Sequence, residues 1–245
     1  MNHAEYETMY RLESHYWWFV ARRQLVTDIV MEHIQSGRND ARILDVGCGT
    51  GATREALVGC GTVFGADMSA EALAFSRSRS EGPLTRSRVE RLSFVDGCFD
   101  LITALDVLEH ADDDLASMHE LYRALKPGGV LVVTVPAFGF LWSEHDEALQ
   151  HRRRYSAHEL RNKLTRVGFD IERLSFFITF LFFPILLMRF AQNIFKKSVE
   201  PKTSHIILPE WINNALIGLL AIERWLLRYI NLPIGVTIVC LARKP

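Results

Sequence analysis

The chain reads as an α/β protein, a mostly parallel sheet with helices packed on both faces. Three observations predict this. Residues 43–46, Ile-Leu-Asp-Val, form a short apolar strand that enters a turn with glycines at 47, 49 and 51, and a helix begins at Ala52. Residues 101–105 are near-continuously apolar, as a strand covered on both faces must be. A helical stretch over 112–125 is broken by Lys126-Pro127-Gly128-Gly129, after which 130–135 is again an apolar strand. Strands alternating with helices make a doubly covered sheet.

The bulk numbers suit one such domain with an elaboration: 245 residues, 49% hydrophobic and 23% charged. A formal net charge of −1 offers nothing global for nucleic acid, and no DNA partner is expected. The four cysteines show neither a C-x-x-C pair nor zinc spacing, and Cys48 lies within the glycine turn. That predicts a reducing compartment, and with a polar N-terminus free of a signal peptide, the cytoplasm.

Residues 4–35 predict one or two helices. They carry Tyr16-Trp17-Trp18-Phe19 and Arg22, and four consecutive aromatics cannot share one helix face. In the glycine turn, Gly47, Gly49 and Gly51 remove side chains that would hold a ligand off the backbone, and the helix start offers free N–H groups. Asp45 can accept from an amine or hydroxyl of that ligand. Gly47, Gly49 and Ala52 also satisfy the G-x-G-x-x-G/A pattern of dinucleotide enzymes. The second strand, Thr62–Asp67, ends on an acid at the crevice, placed to accept from ribose hydroxyls, and Met68 follows it. Ser69 caps the next helix. A third, weak strand is expected over 88–94. Leu105, Asp106, Glu109 and His110 then collect at the C-terminal end of the fourth strand, where such sheets bind ligands.

Asp45-Val46-Gly47-Cys48-Gly49-Thr50-Gly51 resembles motif I of the class I S-adenosylmethionine-dependent methyltransferases. Leu105-Asp106-Val107-Leu108-Glu109-His110 and the Lys-Pro-Gly-Gly turn resemble that family's later motifs, which a dinucleotide enzyme would not show. The resemblance implies a seven-stranded Rossmann-like sheet whose last strand, here 236–242, inserts antiparallel between the fifth and sixth. It implies S-adenosylmethionine as cofactor, cradled by Gly47, Cys48, Gly49 and Gly51. Asp67 would hold the ribose, Met68 would lie on the adenine face, and the backbone around Val89 and Glu90 would carry adenine recognition. Leu105 and Asp106 would line the methionine side, with His110 beside them as a base or a helix cap. Arg22, on an entry helix that folds over the cofactor, would pair with the methionine carboxylate. One departure stands out: the family has an acid where this chain has Arg88.

After the fifth strand, His145, Asp146 and His151 form the best acid/base cluster: a His could take a proton from a substrate hydroxyl, with Asp146 orienting an imidazole. No ligand spacing there predicts a metal. Residues 151–173 carry seven Arg or Lys against three acids, which suits a solvated face or an anionic group. Fifteen uncharged residues, 174–188, follow, and they are too few to span a bilayer. Their first part reads as strand six and Pro184 begins a short apolar helix. Lys196, Lys197 and Lys202 form a basic hinge, and a second helix covers 210–230 with Glu210, Asn213, Asn214, Arg224 and Arg228 on one side and Glu223 interrupting the apolar face.

The expected organisation is lid helices over 1–40, a cofactor-binding core over 41–180, an apolar helical insertion over 181–232 and a last core strand over 233–245. The insertion could cap the substrate, join two copies in a homodimer, or lie at the inner membrane face. The function expected is methyl transfer to an oxygen of a small or lipid-linked acceptor. The alternatives are a methyltransferase shell without turnover and a nucleic-acid methyltransferase.

Overall fold

The two faces of the sheet can be read residue by residue along its central strands. The computed structural model describes residues 3–34, 40–195 and 208–245; Lys196, Lys197 and Lys202 lie outside them. Helices α1 (His3–Leu12) and α2 (Trp17–His33) precede β1 (Arg42–Val46), α3 (Ala52–Ala56), β2 (Thr62–Asp67), α4 (Ala70–Arg79), β3 (Leu84–Arg86) and β4 (Phe99–Leu105). Then come α5 (Asp114–Ala124), β5 (Leu125–Pro136), α6 (Glu144–Ala148), α7 (Ala157–Val167), β6 (Asp170–Phe177), α8 (Phe182–Phe195), α9 (Glu210–Leu227) and β7 (Thr237–Arg243). The seven strands lie in the order β3-β2-β1-β4-β5-β7-β6, with β7 antiparallel to both neighbours. Leu44, Ile102 and Val133 pack with Met118, Leu121, Leu160 and Leu164 of α5 and α7. Their strand neighbours Ile43, Leu101 and Val132 point the other way, onto Val26 and Val30 of α2. This alternation is why the strands read as unbroken apolar runs.

Three elements differ from expectation. The third strand is Leu84–Arg86, paired with Gly65–Asp67, and not 88–94. Val89 and Phe94 of the expected strand, with Leu92, instead pack into the core from irregular chain. Strand β5 begins at Leu125, opposite Phe99, and the next pair is Leu101 with Val130. Lys126-Pro127-Gly128-Gly129 thus bulges out of a strand already begun, with Gly128 at φ +78° and the Lys126 ammonium 2.8 Å from both Asp100 oxygens. The helix expected from Ala52 is short: α3 stops at Ala56 and gives way to a 3₁₀ turn, Val58–Cys60.

The insertion is turned inside out relative to an ordinary surface hairpin. Much of the polar side of α9 faces the protein. Asn213 accepts from Trp17 N (2.9 Å) and donates to the His15 carbonyl (2.8 Å), which ties α9 to the start of α2. Arg224 donates to Gln24 (2.6 Å) and Arg228 to Asp28 (3.0 Å). Glu223, which interrupts the apolar face, is buried and accepts from the backbone N–H groups of Thr179 (2.9 Å) and Phe180 (3.2 Å) where β6 ends. The exposed side is apolar: Trp211 is 74% exposed and Trp225 55%, while on α8 Phe183, Leu187 and Phe190 are each 64–69% exposed. Among the described residues, no helix is long and apolar enough to cross a membrane.

Candidate functional site

The C-terminal ends of β1, β2, β4 and β5 open into one cavity of about 1050 Å³. Its floor is the glycine turn. Gly47 sits at φ +66°, and a Cβ there would lie 2.2 Å from a methyl of Val107, in the segment after β4. Only glycine allows both that backbone and that approach. The Gly49 N–H donates to one Asp67 oxygen (2.9 Å) and the Ser69 N–H to the other (2.8 Å), so Asp67 ties the turn to the end of β2. Burial raises its pKa, with those N–H groups pulling the other way. Met68 projects beside it, largely exposed.

Asp45 is buried beneath the turn. One oxygen accepts from the Thr103 hydroxyl (2.7 Å) and the other has no partner. Burial pushes its pKa up to about 7 against the Thr103 bond. Arg22 and Asp106, expected to act separately, are brought together as an ion pair, with the guanidinium 4.4 Å above the Trp18 ring and its Nε buried without a partner. Cys48, Leu105, Val89 and Glu90 also line the cavity. Arg88 is no stray residue: it pairs with Glu90 (3.2 Å) and Asp112, and Glu90 accepts from the Asp112 N–H (2.9 Å).

The far end is built by the loop after β5. His145 and His151 line the cavity; Asp146 does not. Asp146 is fully buried, closing a capping box with Ser143 and binding His151 Nδ1 (2.9 Å) and Arg154 through Nε (2.7 Å) and Nη2 (3.1 Å). Burial alone would raise its pKa, but His151, Arg154 and Arg189 outweigh it and hold the carboxyl well below its usual range. The role expected of Asp146, orienting an imidazole, fits this placement: it holds His151 from behind the cavity lining. The basic run is also largely spoken for, since Arg152 pairs with Asp112 (2.5 Å), Arg153 with Asp114 (3.2 Å) and Lys163 with Asp114 (2.7 Å).

One site residue, Glu13, and one grouping, that of Glu109 and His110 with His151, escaped the sequence reading. Glu13 of the loop after α1 is buried, bonded to the Thr50 hydroxyl and 3.3 Å from Arg79. Glu109 is fully buried with both oxygens unpartnered, and burial, reinforced by the Asp106 charge, drives its pKa well above normal. His110 packs edge-on against His151 at 4.7 Å; burial, then His151, lowers its pKa to about 4. Glu109, His110 and His151 each present a ligand atom within 4.8 Å of the others, a donor set suited to a divalent cation. Their separation in sequence, 109 and 110 against 151, hides the cluster.

A methyltransferase-domain family model matches residues 44–133. The chain is 29% identical over 164 residues to a Mycolicibacterium smegmatis protein bearing the name probable S-adenosylmethionine-dependent methyltransferase, covering 65% of this chain and 62% of that one. It is 38% identical over 103 residues to a ubiquinone biosynthesis O-methyltransferase of Alkalilimnicola ehrlichii, covering 39% and 42%. The match thus spans less than two thirds of these relatives. A solved S-adenosylmethionine-dependent methyltransferase from Mesorhizobium loti superposes with a TM-score of 0.59 at 18% identity, over 89% of this chain and 96% of that one.

Asp45 yields a pH test of the site's electrostatics. Its folded pKa, about 7, lies above the unfolded carboxylate value, so the folded state holds the proton more tightly and its contribution to stability falls as pH rises between about 4 and about 7. Urea unfolding of wild type and Asp45→Asn across that range should show the variant gaining relative to wild type as pH rises. A constant difference would mean that Asp45 titrates normally.

Proposed function

Because the chain belongs to the class I S-adenosylmethionine-dependent methyltransferases, with S-adenosylmethionine as methyl donor, we propose that it methylates an oxygen of a small or lipid-linked acceptor. The observation that carries this reading is one continuous cavity running from the glycine turn and Asp67 to His151 and on to Ile185, Met188 and Leu216 of the insertion. The cofactor end fits its proposed occupant. Gly47 makes room where a Cβ would collide, and the unpartnered Asp45 oxygen and the Arg22–Asp106 pair offer both signs of charge to an amino-acid moiety. Asp67 retains lone pairs for ribose hydroxyls. When bound, the sulfonium supplies an electrophilic methyl that needs an in-line nucleophile. His151, its Nδ1 held by Asp146, keeps Nε2 to take the acceptor's proton. Helices α1 and α2 serve as the lid: Glu13, Trp17, Trp18 and Arg22 all line the cavity from that side. The ubiquinone O-methyltransferase relative supports an oxygen acceptor, and the apolar cavity end supports a lipid-like one.

The exposed apolar face of α8 and α9 is read as lying on a membrane surface. A helix pair whose polar residues point inward and whose Trp, Phe and Leu point outward fits headgroups better than water. Sedimentation with anionic vesicles at low salt should co-pellet the chain, and Trp225→Glu with Leu187→Glu should release it. No pelleting, with a concentration-dependent dimer in solution, would assign the face to a second copy.

Labelled S-adenosylmethionine offered with pools of lipid phenols and other hydroxyl acceptors tests the reaction. Label should enter a small-molecule hydroxyl. His151→Ala should lower kcat by about 100-fold while cofactor affinity stays within about twofold. Label found only in RNA or protein would overturn the reading.

A further inference from the structure

We propose that Arg189, on the insertion helix α8, is a specificity residue that binds an anionic group, carboxylate or phosphate, on the acceptor. This rests on reading the far end of the cavity as the acceptor site. Asp146 brings one negative charge to that end, against two guanidiniums. Arg154 takes both of its oxygens and spends its remaining Nη1 on the Ala137 carbonyl (2.9 Å). His151 takes a further position on the same carboxylate. Arg189 is left at 3.4 Å from one Asp146 oxygen, with the Ser143 hydroxyl and the Leu141 carbonyl (3.3 Å) as its other partners, all through Nη1. Its Nε is buried with no partner.

The charge is therefore under-neutralised where water is scarce, which costs free energy until an anion arrives. Burial first and the Arg154 charge second lower the Arg189 pKa to about 10, and Asp146 fails to restore it. A carboxylate or phosphate accepts from a guanidinium fork at two points, which neither Ser143 nor Leu141 can do. Other basic side chains nearby are already matched, as Arg152 is by Asp112 at 2.5 Å. The opposite end of the cavity is lined by Glu13, Asp45, Asp67 and Asp106, so an anion is disfavoured there and drawn to Arg189. Ile185 and Met188 of the same helix supply apolar surface for the body of such a molecule.

The test uses the full chain saturated with S-adenosylhomocysteine and three eight-carbon probes: octyl phosphate, octanoate and 1-octanol. Wild type should bind at least one anion about tenfold or more tightly than the alcohol by calorimetry. Arg189→Met should abolish that difference while leaving alcohol and S-adenosylhomocysteine affinities within about twofold, and Arg189→Lys should keep part of it. A purely structural latch would instead lower thermal stability and weaken all three probes alike, overturning the proposal. So would a wild type that binds the alcohol as tightly as the anions, or a Met variant that keeps the preference. Arg189→Gln serves if the Met variant does not fold. Failure of the wild type to bind S-adenosylhomocysteine would sink the methyltransferase reading alone, because the probe comparison can be run without it.

Discussion

The place where Gly47 meets Val107 leaves no room for a side chain, and the cofactor end of the cavity depends on it. At φ +66° and with Val107 Cγ2 2.2 Å from where a Cβ would stand, the turn after β1 lies directly against the segment after β4. That approach puts Asp45, Asp106 and Glu109, which come from two different strand ends, around one space. Asp67 then fixes the turn from the other side through the Gly49 N–H. Both contacts set the turn's backbone against side chains at neighbouring strand ends, so the site is largely preformed.

The far end is organised by a buried carboxylate. Asp146 closes its own helix cap and still gathers His151, Arg154 and Arg189. Removing it would leave two guanidiniums and an imidazole without their counter-charge, so its role is positional. The cavity is consequently polarised, acidic toward the glycine turn and basic toward α8. A cationic sulfonium and an anionic acceptor would be drawn to opposite ends.

Much of the fold was legible because its signals are local. The glycine spacing, the acid ending Thr62–Asp67, the apolar run 101–105 and a last strand near 236–242 lie where the sequence pattern places them, and that strand runs antiparallel as the resemblance implies. What escaped depends on partners distant in the chain. The stretch 88–94 was expected as a weak strand, yet Val89, Leu92 and Phe94 fill the core from a loop, while Leu84–Arg86 takes the sheet position, helped by the bond from Gly65 N to Pro83 O (2.9 Å). In α9 the two faces were visible but not which one meets the protein; Asp28, Gln24 and the His15 carbonyl decide that, nearly 200 residues away. Arg189 gave no signal, because its meaning lies in what it fails to reach.

Whether the glycine turn with Asp67 holds an adenosyl cofactor is decided by calorimetry with S-adenosylhomocysteine and NAD. Wild type should bind S-adenosylhomocysteine and not NAD, and Gly47→Ala should weaken that binding by about tenfold or more, ~1.4 kcal/mol. Binding of NAD without the adenosyl ligand, or a Gly47→Ala variant that binds as wild type does, would contradict the account.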